Sequence, residues 1–203
     1  MGTTRAEKGT CRAEAVEYGM CNVSFSYGER AVLHDVTLLL PERGVVCFFG
    51  PSGCGKTTAL HLLAGLLQPE AGQVTRPERI AAVFQEDRLL PWLNAVQNVC
   101  LLPDVREKEA QGLLERLGME ENRKAVAQMS GGQKRRVAVA RALAARADLL
   151  LLDEPFRGLD AAARDAAVAA VRERAREIPC VLVTHDRAEA EMLEADVREF
   201  TAS

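Results

Sequence analysis

The chain has 203 residues, a formal net charge of −3 and a sequence pI near 5.7. An acidic chain of this kind has no overall attraction for polyanions, so nucleic acid is not an expected partner. Hydrophobic residues make up 48% of the chain and charged residues 27%, which is typical of a globular domain and excludes a disordered or fibrous protein. One domain, with or without an inserted subdomain, fits this length.

The N-terminus, the apolar runs and the cysteines limit where the protein can work. Residues 1–14 have no apolar signal core, and we expect them to form a polar tail. The apolar runs are strand-sized, well short of the roughly 20 residues that span a bilayer. The six cysteines form no C-x-x-C pair, and Cys47 and Cys180 lie in apolar, strand-like runs. Free thiols in a reducing, cytoplasmic setting are therefore expected.

Strand patterns alternate with helical patterns along most of the chain. Residues 15–44 hold short strand patterns separated by turn signals, which predicts an antiparallel β lead-in. Helices are predicted at 56–68, ended by Pro69, and at 159–178. Buried strands are predicted at 45–50, 80–85, 148–155 and 180–186. Strands separated by helices predict an α/β fold with a mainly parallel sheet.

One segment departs from this alternation. From 88 to 147 the patterns are helical only, and 104–118 is the clearest amphipathic stretch. We therefore expect an inserted helical subdomain at 88–147. The rest of a single domain over 15–203 would be a core formed by residues 15–87 and 148–203.

Residues 50–57, GPSGCGKT, match the phosphate-loop pattern G-x-x-x-x-G-K-T between a strand and a helix. The glycines let backbone N–H groups converge on phosphate oxygens at a positive helix end. Lys56 is expected to reach the β- and γ-phosphates, and Thr57 to hold Mg²⁺. A glycine-rich turn with a surface lysine is the simpler alternative. The other predicted phosphate-site residues are Gly50, Pro51, Ser52, Gly53, Cys54, Gly55 and Thr58.

Two carboxylates end the hydrophobic strand LLLLDEP at 149–155. Ligands bind open parallel sheets at the carboxyl ends of strands, so Asp153 is placed to bind Mg²⁺ and Glu154 to polarise an attacking water. Alone, the pair could form only a helix-capping turn. With the phosphate loop it indicates a phosphate-loop NTPase, a class that includes small-molecule kinases.

The segment MSGGQKRRVAVARAL, at 129–143, begins with a capping box, because Ser130 precedes Gln133 by three residues. A well-capped helix start is therefore the simplest interpretation. It does not explain Gly131 and Gly132, since glycine inside a helix costs about 1 kcal/mol relative to alanine. At a positive helix end these glycines would instead expose backbone N–H groups as a second phosphate-binding surface.

SGGQ resembles the signature motif of ATP-binding cassette (ABC) ATPases. The other motifs of that family are present in the family's order across residues 16–190. Tyr27 matches the adenine-stacking aromatic, Gln85 the Q-loop and His185 the switch histidine. GLD at 158–160 looks like the D-loop, which contains Asp160. The resemblance implies a RecA-like phosphate-loop NTPase core with a mainly parallel sheet, an antiparallel β lead-in and an inserted helical subdomain.

The resemblance also implies an activity and partners. It implies an ATP-hydrolysing subunit that energises a membrane importer from the cytoplasmic face of the cell membrane, with ATP and Mg²⁺ as cofactors. Implied partners are a second copy of the chain in a homodimer, transmembrane permease subunits and an extracytoplasmic substrate-binding protein. The implied catalytic residues are Lys56, Gln85, Glu154 and His185, and the implied Mg²⁺ ligands are Thr57, Gln85 and Asp153. Ser130, Gly131, Gly132, Gln133 and Asp160 would contact ATP, the signature residues from the opposite subunit.

Residues 85–99, QEDRLLPWLNAVQNV, are similar to importer cassettes of the nitrate, sulfonate and taurine group, which implies a small anion or organic solute as cargo. The apolar residues at 89–93 are either subdomain core or a docking surface for a partner helix. Two departures from the family pattern are the basic pair Lys134 and Arg135, and Arg157-Gly158, where small residues are common. An ABC exporter, or a non-transport cassette acting as a mechanical module, is the alternative function.

Overall fold

The computed structural model describes residues 18–120 and 123–200, so the expected polar tail lies outside the described residues. The strands are β1 (Gly19–Tyr27), β2 (Arg30–Leu39), β3 (Gly44–Phe49), β4 (Ala71–Thr75), β5 (Ile80–Val83), β6 (Leu149–Asp153), β7 (Pro179–Thr184) and β8 (Asp196–Glu199). The helices are α1 (Lys56–Leu63), α2 (Ala95–Val99), α3 (Glu107–Arg116), α4 (Gly131–Ala144), α5 (Ala161–Ala175) and α6 (Arg187–Met192). Within these residues, no helix is both long enough and apolar enough to cross a bilayer.

A five-stranded parallel sheet forms the centre of the fold, in the order β5-β6-β7-β3-β8. Its inner strands are buried on both faces, as expected of parallel strands covered by helices. In β6, Leu150 and Leu152 face the helical side of the core, while Leu149 and Leu151 face α1 and the second sheet. The predicted α/β fold with a mainly parallel sheet is confirmed.

The second sheet is antiparallel and has the order β2-β1-β4. The pairing of β1 with β2 confirms the predicted antiparallel lead-in. The sequence patterns did not predict β4, which follows α1 in the chain and pairs with β1, or β8, which pairs with β3 at the edge of the parallel sheet. Both strands are short, and all four residues of β8 are exposed, so neither carries a strong hydrophobic pattern.

The first helix is shorter than its sequence pattern predicts. It ends at Leu63, and the predicted continuation to residue 68 before Pro69 is wrong. Gly65 has a φ of 73°, a left-handed conformation that ends a helix and that glycine adopts without a steric penalty. The predicted strands were too long by one or two residues at several ends, which is the usual uncertainty of strand limits.

Helices follow one another through the described residues between 88 and 147. These are α2, α3, a short 3-10 helix at Val126–Gln128 and α4, with a single β-bridge between Asn94 and Ala125. The buried residues Ala110 and Leu114 of α3 pack into the same core cluster as the buried face of α4. The division into core and subdomain at these limits stays a prediction.

Cys47, Cys54, Cys100 and Cys180 have free thiols. Cys47 and Cys180 are buried, as their apolar surroundings in the sequence predicted. Burial raises the pKa of the Cys47 thiol to about 11 and that of Cys180 to about 12. Both groups are therefore held as unreactive thiols at neutral pH.

Candidate functional site

The phosphate loop connects the end of β3 to the start of α1. Gly55 is the N-cap of α1 with a φ of 98°, and a Cβ there would lie 3.1 Å from the carbonyl oxygen of Val32. Only glycine combines this left-handed conformation with such a close approach. The loop thus ends with the first-turn N–H groups of α1 free to receive an anion.

Lys56 lies across this loop rather than on the surface. Its side chain is buried, and its Nζ donates hydrogen bonds of 2.7 Å to the carbonyl oxygens of Gly50 and Pro51. Both acceptors are neutral, so an anionic phosphate oxygen would be a stronger partner for the ammonium. The alternative of a turn with a surface lysine does not describe this geometry.

Thr57 and Asp153 bring the phosphate loop and the end of β6 together. The Thr57 hydroxyl donates to Oδ2 of Asp153 at 3.1 Å, whereas Oδ1 of Asp153 is buried and has no hydrogen-bond partner. Burial raises the pKa of the Asp153 carboxyl, and the hydrogen bond from Thr57 opposes that shift. A hydroxyl beside a buried carboxylate with an unused oxygen is a donor set that fits Mg²⁺.

Glu154 directly follows Asp153 in the chain, and both residues line the same cleft at the end of β6. Its φ is 47°, a left-handed conformation that is uncommon for a residue with a side chain and often occurs at functional sites. Its backbone N–H donates to the carbonyl oxygen of Val183 at 2.9 Å, which fixes the turn against β7. Its Oε1 lies 2.9 Å from Nδ1 of His185, and its Oε2 lies 3.6 Å from Nη1 of Arg157.

The strand order explains why His185 reaches Glu154. Because β7 lies between β3 and β6, the residue that follows β7 emerges between the phosphate loop and Asp153. The buried carboxyl of Glu189 supports the turn after β7. The Thr184 hydroxyl donates to this carboxyl at 2.5 Å and accepts from the backbone N–H of Asp186. Burial raises the pKa of Glu189. The sequence interpretation did not identify Glu189, although a glutamate on the buried face of a short helix is a signal of a specific partner.

One cleft brings together residues of the phosphate loop, the Q-loop residue and the two carboxylates. It is lined by Ser52, Gly53, Gly55, Lys56, Thr57, Thr58, Gln85, Asp153, Glu154 and Val183. Cys54 is not among them, because its side chain is buried beside Lys56, with Sγ 3.7 Å from Nζ. The loop, the Q-loop residue and the two carboxylates are thus adjacent in one chain.

Arg135 holds the Q-loop segment to α4, and the sequence interpretation had noted only its charge. Its guanidinium donates to the carbonyl oxygens of Phe84 and Gln85 at 2.7 and 2.8 Å, and it lies 3.1 Å from Oδ1 of Asp87. Arg141 donates to the carbonyl oxygen of Asp87 at 2.9 Å. Positions 135, 139 and 142 lie on one buried face of α4. A charged residue, Arg135, on this otherwise apolar face was the sequence signal that it has a specific partner.

The signature segment lies outside the cleft around Lys56. Ser130 caps α4, and it exchanges hydrogen bonds with Gln133 in the predicted capping box. Gly131 is exposed, and a Cβ placed on it would meet no atom within 4 Å. A Cβ on Gly132 would lie 2.7 Å from the carbonyl oxygen of Gly158. The helix-cap interpretation is correct, and the two glycines have different surroundings.

Tyr27 and Asp160 also lie away from that cleft. Tyr27 is exposed at the end of β1, and its ring packs edge-on against Phe25 with centroids 4.9 Å apart. Asp160 is the N-cap of α5, and its Oδ1 accepts from the N–H of Ala163 at 2.9 Å. An exposed aromatic ring is available for stacking, whereas the visible contact of Asp160 is structural.

The apolar cluster at 89–93 is divided between core and surface. Leu89 packs against the main hydrophobic core, but Trp92 is 71% exposed. Buried Asn98 holds the turn, because it donates to the carbonyl oxygen of Leu90 and accepts from the N–H of the same residue. The tryptophan is therefore presented on a fixed turn rather than packed inside.

A parallel sheet with a phosphate loop after one strand, and with paired carboxylates after another, defines a phosphate-loop NTPase. A family model described as "ABC transporter" matches residues 33–157. The chain belongs to this ABC transporter family. The predicted family, and the predicted class of ATPase with ATP as its nucleotide, are confirmed.

Curated relatives agree with that assignment. The chain is 42% identical over 193 residues to the aliphatic sulfonates import ATP-binding protein SsuB 1 of Paracoccus denitrificans, covering 90% of this chain and 78% of the relative. It is 47% identical over 171 residues to SsuB 3 of Paraburkholderia xenovorans, covering 81% and 68%. It is 43% identical over 152 residues to the taurine import ATP-binding protein TauB of Pseudomonas aeruginosa, covering 67% and 58%.

A solved structure matches the fold. It is the dimeric structure of a post-hydrolysis state of the ATP-binding cassette MJ0796 bound to ADP and phosphate. The TM-score is 0.78 at 28% sequence identity, and the match covers 90% of this chain and 94% of the other. The similarity thus extends over nearly the whole length of both chains.

Proposed function

We propose that this chain is the ATP-hydrolysing subunit of a membrane importer for a small organic anion of the sulfonate or taurine type. The observation that carries the proposal is the meeting of Lys56, Asp153, Glu154 and His185 at one edge of the parallel sheet. The names of the relatives support the cargo class, because they describe import proteins for aliphatic sulfonates and taurine. The chain would work at the cytoplasmic face of the membrane.

The phosphate loop binds the triphosphate in this proposal. Lys56 exchanges its two loop carbonyl partners for β- and γ-phosphate oxygens, and loop N–H groups receive the others. Thr57, Asp153 and Gln85 would hold Mg²⁺, which would supply positive charge against the phosphates. Tyr27 stacks on the adenine ring. Tyr27 is 52% exposed at the end of its strand, so part of its ring is accessible for that contact.

Glu154 accepts the proton of the water that attacks the γ-phosphorus. Positioning and charge stabilisation supply most of the acceleration in phosphoryl transfer, so the geometry around this carboxylate matters more than its basicity. His185 hydrogen-bonds Oε1 of Glu154, and it is 69% exposed, so the ring can turn toward the γ-phosphate. The turn residue Glu154 itself is held by its backbone bond to Val183.

The signature segment completes the site of a second copy. Gly131 offers an exposed helix N-terminus, but it does not line the cleft around Lys56 of its own chain. A head-to-tail homodimer would bring Ser130, Gly131 and Gly132 of one subunit to the γ-phosphate held by the other. Gln133 and Asp160 lie beside that contact. The dimeric state of the matching cassette structure supports this arrangement.

Trp92 marks the surface that would dock the permease. It is an exposed aromatic side chain on a turn fixed by Asn98, a combination typical of interface anchors. The turn follows Gln85 directly, so a displacement of the docked helix would reach the nucleotide site over few residues. An extracytoplasmic substrate-binding protein would deliver the cargo to the permease from the other side.

The experiment is ATP-driven transport by the full assembly, reconstituted in lipid vesicles with the permease subunits that co-purify with this chain and with the substrate-binding protein. Taurine and short alkanesulfonates are the probes, and nitrate is the comparison. We expect uptake that depends on MgATP on the side of this chain. Absence of MgATP hydrolysis would reject the enzyme role. Hydrolysis without uptake of any probe would reject the cargo class, and net export of a probe would reverse the direction.

A further inference from the structure

Arg157 lies on the side of Glu154 opposite to His185. Its Nη1 is 3.6 Å from Oε2 of Glu154, while Nδ1 of His185 is 2.9 Å from Oε1. The two cationic or donor groups therefore take different oxygens of one carboxylate. The backbone N–H of Arg157 also donates to the carbonyl oxygen of Glu154 at 3.2 Å, so both side chains project from one tight turn.

A carboxylate that accepts a proton from water needs one oxygen directed at that water and a fixed plane. In the structure His185 contacts Oε1. When the histidine turns to the γ-phosphate, Oε1 becomes available, and Arg157 remains within ion-pair distance of Oε2. The arginine is thus placed to restrain the carboxylate electrostatically when the histidine releases it.

We propose that Arg157 is a positioning residue for ATP hydrolysis, whose guanidinium attracts Oε2 of Glu154 and so favours the orientation in which Oε1 faces the attacking water. The inference rests on the proposed function, in which Glu154 receives the proton. It assigns a role to the position at which this sequence departs from the small residue common in the family pattern.

A purely structural role does not account for this arginine. Its side chain is 70% exposed, and exposed ion pairs contribute little to folding stability. The turn has other restraints, because Leu159 donates to the carbonyl oxygen of buried Phe156 and Glu154 donates to Val183. Removing the guanidinium should therefore leave the turn in place and change only the freedom of the Glu154 side chain.

The test compares Arg157→Met and Arg157→Lys with a matched control, Arg146→Met. Arg146 is 72% exposed and lies 3.8 Å from Oδ2 of Asp104, so it resembles Arg157 in exposure and pairing, but it precedes β6 at the end of the strand remote from the cleft. The measurement is steady-state hydrolysis of MgATP. We expect Arg157→Met to lower kcat about fivefold with little change in KM, since only the positioning of the base is lost. Arg157→Lys should recover at least half of the lost rate, and Arg146→Met should match the wild type.

Equal rates for Arg157→Met and Arg146→Met would overturn the inference, as would a raised KM with unchanged kcat. Glu154→Gln separates this failure from failure of the proposed function. If Glu154→Gln hydrolyses ATP normally, the base assignment itself is wrong. If it is inactive while Arg157→Met is normal, the role of Arg157 alone is rejected. As a further control, the double variant Glu154→Gln/Arg157→Met must still dimerise with MgATP. If it does not dimerise, the lowered kcat of Arg157→Met comes from the subunit interface and the inference is wrong.

Discussion

Gly132 lies so close to Gly158 that a Cβ on Gly132 would be 2.7 Å from the carbonyl oxygen of Gly158. The signature helix and the D-loop turn of one chain are therefore in backbone contact. Gly131, one residue earlier, has open space around its Cα. The adjacent glycines thus have different surroundings, since Gly132 is packed against the chain's own backbone and Gly131 is open.

Substitution of each glycine by alanine should affect the stability of the chain differently. Gly132→Ala forces the 156–159 turn away from α4, and we expect it to lower the free energy of unfolding by about 1–3 kcal/mol, as overpacking does. Gly131→Ala should change it by less than about 1 kcal/mol, because alanine is the better helix former and meets no neighbour. Urea unfolding of both variants measures the difference, and equal stabilities would contradict the packing role of Gly132.

Ser130→Arg should block ATP-driven dimerisation while each subunit still binds nucleotide. The large side chain would project from the exposed start of α4, where the proposed partner nucleotide lies. Ser130→Ala is the matched control, since both variants lose the hydrogen bond to Gln133, worth about 1 kcal/mol as an N-cap. Light scattering with MgATP reports dimers, and a fluorescent nucleotide reports binding. Normal dimer formation by Ser130→Arg would remove this face from the interface.

Glu154→Gln should keep MgATP binding and lose turnover by at least about 100-fold, the typical contribution of a positioned general base. Glutamine is close in size and can keep a hydrogen bond to His185, so the fold should be retained. Single-turnover hydrolysis and equilibrium nucleotide binding make the comparison. Near-normal turnover by the variant would exclude Glu154 as the base.

Removal of Mg²⁺ with a chelator should abolish hydrolysis by the wild type, since Asp153 and Thr57 fit that cation.

Arg135→Met should free the Q-loop segment from α4. The arginine is 8% exposed, and its loss leaves Asp87 and the carbonyl oxygens of Phe84 and Gln85 without their partner. Breaking a buried pair costs about 3–5 kcal/mol, and we expect a value near the lower end because Asp87 is partly exposed. In a double-mutant cycle, Asp87→Asn should recover part of the loss. Purely additive effects in urea unfolding would show that the two side chains do not interact.

The local chemistry of the site was readable from the residues. Gly50 to Thr57, the adjacent carboxylates Asp153 and Glu154, and the Ser130–Gln133 capping box all act over a few positions along the chain. Short spacing of this kind restricts backbone geometry directly, so a pattern of residue types is enough to predict it. The resemblance then supplied the order of the motifs and the expectation of a second copy.

Contacts between distant segments were decided by the tertiary structure. The placement of β7 between β3 and β6 brings His185 to Glu154, but the hydrophobic runs of these strands are compatible with several strand orders. The contact of Gly132 with Gly158 and the hold of Arg135 on the Q-loop carbonyls depend on how α4 packs against two other segments. The sequence by itself determined which groups could bind phosphate and Mg²⁺. Only the fold decided which of them meet, because residues far apart in the chain are brought together by packing that no local pattern specifies.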